Sequence, residues 1–174
     1  MAKMNSLCDK EIAAALYEAS CAGVKIEMVI RGICCLKAGI PNLSENIEVH
    51  SIVGNFLEHA RVFYFENDGS PEIYMGSADW MPRNLDKRVE IMFPVEEESL
   101  KEQVMHILKV QLEDNVKAHI LKPDGTYEKP DKRGKVLVCS QDQFCEEAVK
   151  NVEAELGKMD PVSNRVFVPV ISQN

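Results

Sequence analysis

No two cysteines of this chain stand in Cys-x-x-Cys spacing; the six lie at positions 8, 21, 34, 35, 139 and 145. The usual sequence mark of a structural zinc site or a dithiol redox centre is therefore missing, and reduced, mostly buried thiols are expected instead. No apolar run approaches the roughly 20 residues that a membrane-spanning helix needs. The opening MAKMNSLCDK has neither an apolar h-region nor a cleavage site, so the cytoplasm is the expected compartment. Positive charge is scarce too. Twenty Lys and Arg stand against 28 Asp and Glu, a net charge of −8, which excludes non-specific attraction of the whole surface to nucleic acid or an anionic membrane. Any anion site must then be local. Internal repeats and low-complexity segments are also lacking.

What is present is the balance of a soluble globular protein, 45% hydrophobic and 28% charged, in 174 residues that suffice for one core. Asp9 is placed to cap a helix with Ile12, Ala13, Leu16 and Ala19 on one face, and Gly23 sits where a left-handed C-cap belongs. The run KIEMVI then reads as a strand and Arg31-Gly32 as a turn, so helix, strand and turn in succession predict an α/β fold. Residues 37–46 read as a loop, IEVHSIV as a second strand, NFLEHA as a short helical or irregular turn and RVFYFEN as a third strand ending in Asn67-Asp68-Gly69-Ser70. PEIYMGSA predicts a fourth strand, DWMPRNLDK a loop and RVEIMFPV a fifth strand. Residues 98–114 predict an amphipathic helix with Leu100, Val104, Ile107, Leu108 and Leu112 on its apolar face. After it come a short strand VKAHIL, a turn at Pro123-Asp124-Gly125, the basic linker KPDKRGK, a helix from about 140 to 158 and an extended RVFVPVISQN. A mixed β-sheet flanked by helices is expected, with residues 1–130 as one domain and 131–174 as a linker and helix packing on it.

Chemistry gathers in residues 59–79. The pattern is H-x-R-x4-E-x9-G-S-x-D, formed by His59, Arg61, Glu66, Gly76, Ser77 and Asp79. It resembles a degenerate form of the H-x-K-x4-D and G-S-x-N motif of the phospholipase D superfamily. An imidazole serves as nucleophile or general acid near neutral pH, and a cation two residues along a strand projects from the same face, where it can neutralise phosphate oxygens. Arg31, at the carboxyl end of the first strand and before a glycine, stands where open α/β sheets bind ligands. Arg83 and Arg88 add two cations from the following loop, whose single tryptophan, Trp80, is expected to anchor it. His50, His106 and His119 are expected to be structural or solvent-facing.

Taken together, AKMNSL, RGICCL, FLEH and SADWMPRNLD resemble the carboxyl-terminal region of bacterial polyphosphate kinases of the long-chain-synthesising type, from about Lys3 to Asp114 and more weakly as far as SQDQFCEEA. The resemblance implies a phospholipase D-like sandwich that works opposite a second such domain. It implies reversible transfer of the terminal phosphate of ATP to polyphosphate through a phosphohistidine. Arg31 would contact nucleotide phosphates, and His59 would be the second active-site histidine, assisting transfer as acid or base. Arg61, Arg83 and Arg88 would bind phosphate, with Glu66, Ser77 and Asp79 in support. The phosphate-accepting histidine and most ligands of the Mg2+ that accompanies ATP would lie in a preceding domain that this chain lacks, so the chain is expected to be an inactive carboxyl-terminal fragment. Its implied partners are ATP or ADP, polyphosphate, the remaining domains of the parent and a homo-oligomeric parent, with no nucleic acid. The parent would be cytoplasmic or peripheral to the inner membrane. Two other readings stay open: a phosphodiesterase or nuclease of the phospholipase D superfamily, weakened by Arg in place of Lys, and an isolated phosphate-binding module.

Overall fold

The structure, a computed structural model, describes residues 1–157. It confirms the mixed α/β architecture. Three parallel strands form the centre of one eight-stranded sheet: β1 (Ala2–Met4), β2 (Ile26–Ile30) and β3 (Ile47–Ile52). From β1 the sheet continues through antiparallel β4 (Val62–Phe65), β5 (Glu72–Gly76) and β6 (Met92–Pro94), and from β3 through antiparallel β7 (Ala118–Leu121) and β8 (Tyr127–Glu128). The order is β6-β5-β4-β1-β2-β3-β7-β8. β2 and β3 are apolar on one face, through Ile26, Met28, Ile30, Ile47 and Val49, while the other face mixes Val29 and Ile52 with Glu27, Glu48 and His50.

Helix α1 (Lys10–Cys21) covers one face. Asp9 caps it as expected, its carboxylate accepting from the amides of Glu11 at 3.0 Å and Ile12 at 2.9 Å, and Gly23 ends it at φ 89°. Its Ala13, Leu16 and Ala19 pack on the cluster of Met4, Met28, Ile30 and Val49. Helix α3 (Glu98–Glu113) covers the other face, with Val104 and Met105 against Val62 and Ile73, and Leu112 against Val29 and Ile52. The buried stripe of α3 differs from the expected one. Leu100 is 45% and Ile107 37% exposed, while Gln111, 1% exposed, takes a core position because its amide donates to Glu58.

Four further expectations need correction. Residues 79–87 are not all loop: Pro82–Lys87 is helix α2, because proline at the first helical position gives up an N–H that would be unpaired there anyway. The fifth strand shrinks to Met92–Pro94. β1 and β8 had no sequence signal, since two or three residues carry no readable period. The cysteines are free but none is fully buried; Cys21, Cys35 and Cys145 are exposed. Helix α4 (Ser140–Leu156) begins where expected, and the predicted extended segment RVFVPVISQN lies outside the described residues. The chain forms two compact units, Met1–Gln141 and the part from Asp142 on; in the second, Gln143 donates to Glu147 at 2.9 Å along α4. Among the described residues no helix is long and apolar enough to cross a membrane.

Candidate active site at one edge of the sheet

Strand direction decides which residues meet. β1 and β2 run parallel, so Asn5 and Arg31, each just past a strand's carboxyl end, lie at the same edge of the sheet. β4 runs antiparallel to β1 and begins at that edge, where His59 and Arg61 precede it; β5 ends there and delivers Ser77 and Asp79. β6 starts there again, with Glu90 just ahead of it. Glu66 follows β4 and is therefore at the opposite edge, exposed and bonded to the Tyr64 hydroxyl. Glu66 was expected to support the site, but a four-residue strand of about 13 Å separates it from His59.

Arg61 is engaged inward. It forms a bidentate pair with Asp79, Nε to Oδ1 at 3.2 Å and Nη2 to Oδ2 at 3.0 Å, with both side chains largely buried. Asp79 Oδ1 also accepts the backbone N–H groups of Asn5 at 2.7 Å and Ser6 at 3.3 Å. Burial alone would raise the Asp79 carboxyl, but the Arg61 guanidinium and the two amides outweigh it and hold the group below the usual carboxylate range. The remaining guanidinium nitrogen, Nη1, donates to the His59 carbonyl at 2.7 Å and lies 3.4 Å from His59 Nδ1. Since arginine only donates, Nδ1 is the acceptor in this contact, and the hydrogen of the neutral ring is assigned to Nε2. His59 itself is exposed.

A second set of contacts holds the loop that carries His59. Glu58 accepts from Lys3 Nζ at 3.1 Å, from Gln141 Nε2 at 2.9 Å and from the Gln111 amide. Gln141 also pairs with both backbone groups of Phe56, accepting its N–H at 3.0 Å and donating to its carbonyl at 2.9 Å. Gly54 makes this possible, because a Cβ there would sit 2.2 Å from Gln141 Oε1. None of Lys3, Glu58, Gln111 and Gln141 was foreseen as part of the site: they come from four separate segments, so no spacing could reveal them.

Ser77 donates to Glu90, which also accepts from Asn84 Nδ2 at 2.6 Å. These hydrogen bonds, aided by the charges of Arg88 and Arg61, lower the Glu90 carboxyl against the opposing effect of burial. Glu90 was not foreseen either. Arg31 carries a buried Nε without a partner, while its carbonyl accepts from Ser51 Oγ at 3.2 Å. Arg83, on α2, and Arg88, just after it, are exposed. Trp80 anchors its loop as expected, stacked on Phe63 at 5.2 Å with its carbonyl accepting from the amides of Cys8 and Asp9. Of the other histidines, His50 is buried against Glu48, His106 is exposed on α3 and His119 contacts the Lys117 carbonyl. Among the described residues no three His, Cys, Asp or Glu side chains converge to hold a metal ion.

The profile of the family described as "Polyphosphate kinase C-terminal domain 2" matches residues 1–141. The chain is 51% identical over 171 residues to polyphosphate kinase of Lactiplantibacillus plantarum, covering 98% of this chain and 24% of that protein. It is 61% identical over 125 residues to polyphosphate kinase 1 of Chlorobaculum tepidum, covering 72% and 18% respectively. Among solved structures, it is similar to polyphosphate kinase from Porphyromonas gingivalis with a TM-score of 0.83 and 38% identity, over 88% of this chain and 24% of that one. The chain thus spans about a quarter of the length of these relatives.

Proposed function

This chain belongs to the polyphosphate kinase family, and from that membership we propose that it is the phosphate-holding, His59-bearing part of an enzyme that reversibly transfers the terminal phosphate of ATP to polyphosphate. The observation that carries the proposal is the His59–Arg61–Asp79 arrangement. An exposed imidazole is held by its carbonyl and by Nδ1 from a guanidinium that is itself locked in a largely buried ion pair. The ring then presents Nε2–H, a donor suited to hydrogen-bonding a phosphoryl oxygen as charge develops on it during transfer.

Arg31, at the same edge, supplies the cation for the phosphates, and Arg83 and Arg88 are exposed cations that reach a polyanion from α2 and the segment after it. In this reading the phosphohistidine lies in the part of the longer relatives that the 174 residues do not span. Mg2+ travels with the nucleotide and takes its ligands there too; bound, it neutralises charge on the phosphates. Arg61 has a different part from the one its spacing suggested: bound on three sides, it positions His59 and does not grip phosphate.

The test is His59→Ala in the full-length enzyme. Loss of phosphoryl transfer by about 10²- to 10³-fold is expected, the usual cost of removing one donor from a developing charge, with unchanged thermal unfolding because the side chain is exposed. A variant that retains full transfer would remove His59 from the mechanism.

A further inference from the structure

Among the described residues, five buried side-chain nitrogen or oxygen atoms have no hydrogen-bond partner: Asn5 Nδ2, Arg31 Nε, His50 Nδ1, Asn84 Oδ1 and Gln111 Oε1. Two of them, Asn5 Nδ2 and Arg31 Nε, are donors whatever the protonation state, and those two are neighbours. The regular ladder ends at Met4 and Ile30, but the two chains stay together past it, with Arg31 N donating to the Met4 carbonyl at 3.4 Å and Gly32 N to the Asn5 carbonyl at 2.8 Å. Asn5 and Arg31 therefore leave adjacent parallel strands at the same edge of the sheet, each with a buried donor to satisfy.

Asn5 is only 6% exposed and its backbone is fixed at both ends, its N–H by Asp79 and its carbonyl by Gly32. Gly32 permits the close approach: a Cβ at that position would lie 2.9 Å from the Asn5 oxygen. A buried donor left unpaired is costly, and a pair of them, one cationic, is matched by a single anionic acceptor. We propose that Asn5 is a phosphate ligand beside Arg31, its Nδ2–H2 and the Arg31 Nε–H together gripping one phosphoryl oxygen at the carboxyl ends of β1 and β2. The inference rests on the phosphate-holding role given to this edge above. It adds a neutral donor on a fixed backbone to a site whose other phosphate ligands are arginines. It also couples the ligand to His59, because the residue that grips the phosphate hangs by its N–H from the carboxylate that holds Arg61.

The test uses this 174-residue chain, labelled with 15N and titrated with tripolyphosphate and, separately, with ADP, following the side-chain resonances of the Asn5 amide and of Arg31 Nε–H. Both are expected to move along one saturation curve. The effective probe tells whether the oxygen belongs to polyphosphate or to a nucleotide. Asn5→Ala should weaken binding of that probe about tenfold, the usual loss of a hydrogen bond to a charged group. The double variant with Arg31→Ala should lose less than the product of the two single losses, because both donors serve one oxygen. An Asn5 amide that stays still while Arg31 Nε–H moves would overturn the inference and leave the proposed function standing. If neither resonance moves with either probe, both fall. The resonance titration needs only the wild-type chain, so it decides between these outcomes even where a variant fails to fold.

Discussion

Asp79 shows how one side chain can serve stability and function together. It is the acceptor for Arg61 and for two backbone amides, and its carboxyl is held below the ordinary range. A carboxyl whose folded value is depressed contributes stability that is present above its unfolded value, near pH 3.9, and is lost as pH falls through the folded one. Asp79→Asn leaves the guanidinium largely buried and unpaired, at a cost on the order of 3 kcal/mol near neutral pH. The gap between the variant and the wild type should then begin to narrow as pH drops below about 4, where the unfolded wild-type chain takes up the proton, and close only as pH passes through the lower value of folded Asp79. Urea unfolding at a series of pH values reads this out; a gap that stays constant down to pH 3 would mean that the ion pair adds nothing to stability. The histidine, arginine and aspartate of this triad were all legible in the sequence as a motif. Their division of labour was not, because spacing along a strand says which side chains are near and not which partner each one chooses.

At the scale of elements, the segment between β3 and β4 matters most, since it carries His59 and has no regular structure of its own. Its shape comes from Gln141, at the start of α4, and from Lys3 and Gln111, which fasten Phe56 and Glu58 from three directions. Gly54→Ala should force Gln141 off Phe56 and destabilise the chain by about 1–2 kcal/mol, the cost of leaving a backbone group unpaired. Hydrogen exchange at the Phe56 amide should speed up well beyond the change at β2 and β3. Uniform acceleration throughout the sheet would instead indicate general loosening, and unchanged exchange at Phe56 would refute the fastening. Asp114 plays a similar part at the end of α3, accepting the amides of Val116, Lys117 and Ala118 and both the amide and hydroxyl of Ser140. Such contacts link distant segments through polar atoms, so hydrophobic periodicity is blind to them; it is why Gln111 was missed on α3 while Leu108 was found.

For the whole molecule the question is how a chain of net charge −8 would hold the polyanion proposed for it. Topology concentrates Arg31 and Arg61 at one edge of the sheet, and Asp79 neutralises the second of them, leaving Arg31 as the cation whose guanidinium still has a buried donor to offer. Calorimetric titration with long-chain polyphosphate should therefore show binding that weakens as salt is raised toward 1 M, where the Debye length is about 3 Å. Arg31→Ala should lower the low-salt affinity at least tenfold, as loss of a charge-assisted contact does. Equal affinity in variant and wild type would place the anion elsewhere on the surface.

By itself the sequence determined the kind of fold, most of its strands and helices, and the short run of residues to which the proposed chemistry is assigned. Those properties are local: alternation along β3, the cap at Asp9, the glycines and histidines of a motif. The family likeness, too, is carried by contiguous words such as RGICCL and SADWMPRNLD. The tertiary structure decided membership of the site. It sent Glu66 to the far edge and brought Glu90 to the near one, turned Arg61 from the ligand toward Asp79, and set Asn5 beside Arg31. The physical reason is that strand direction and burial, neither written in any single stretch of residues, settle which polar groups must find partners in the protein and which are left to a ligand.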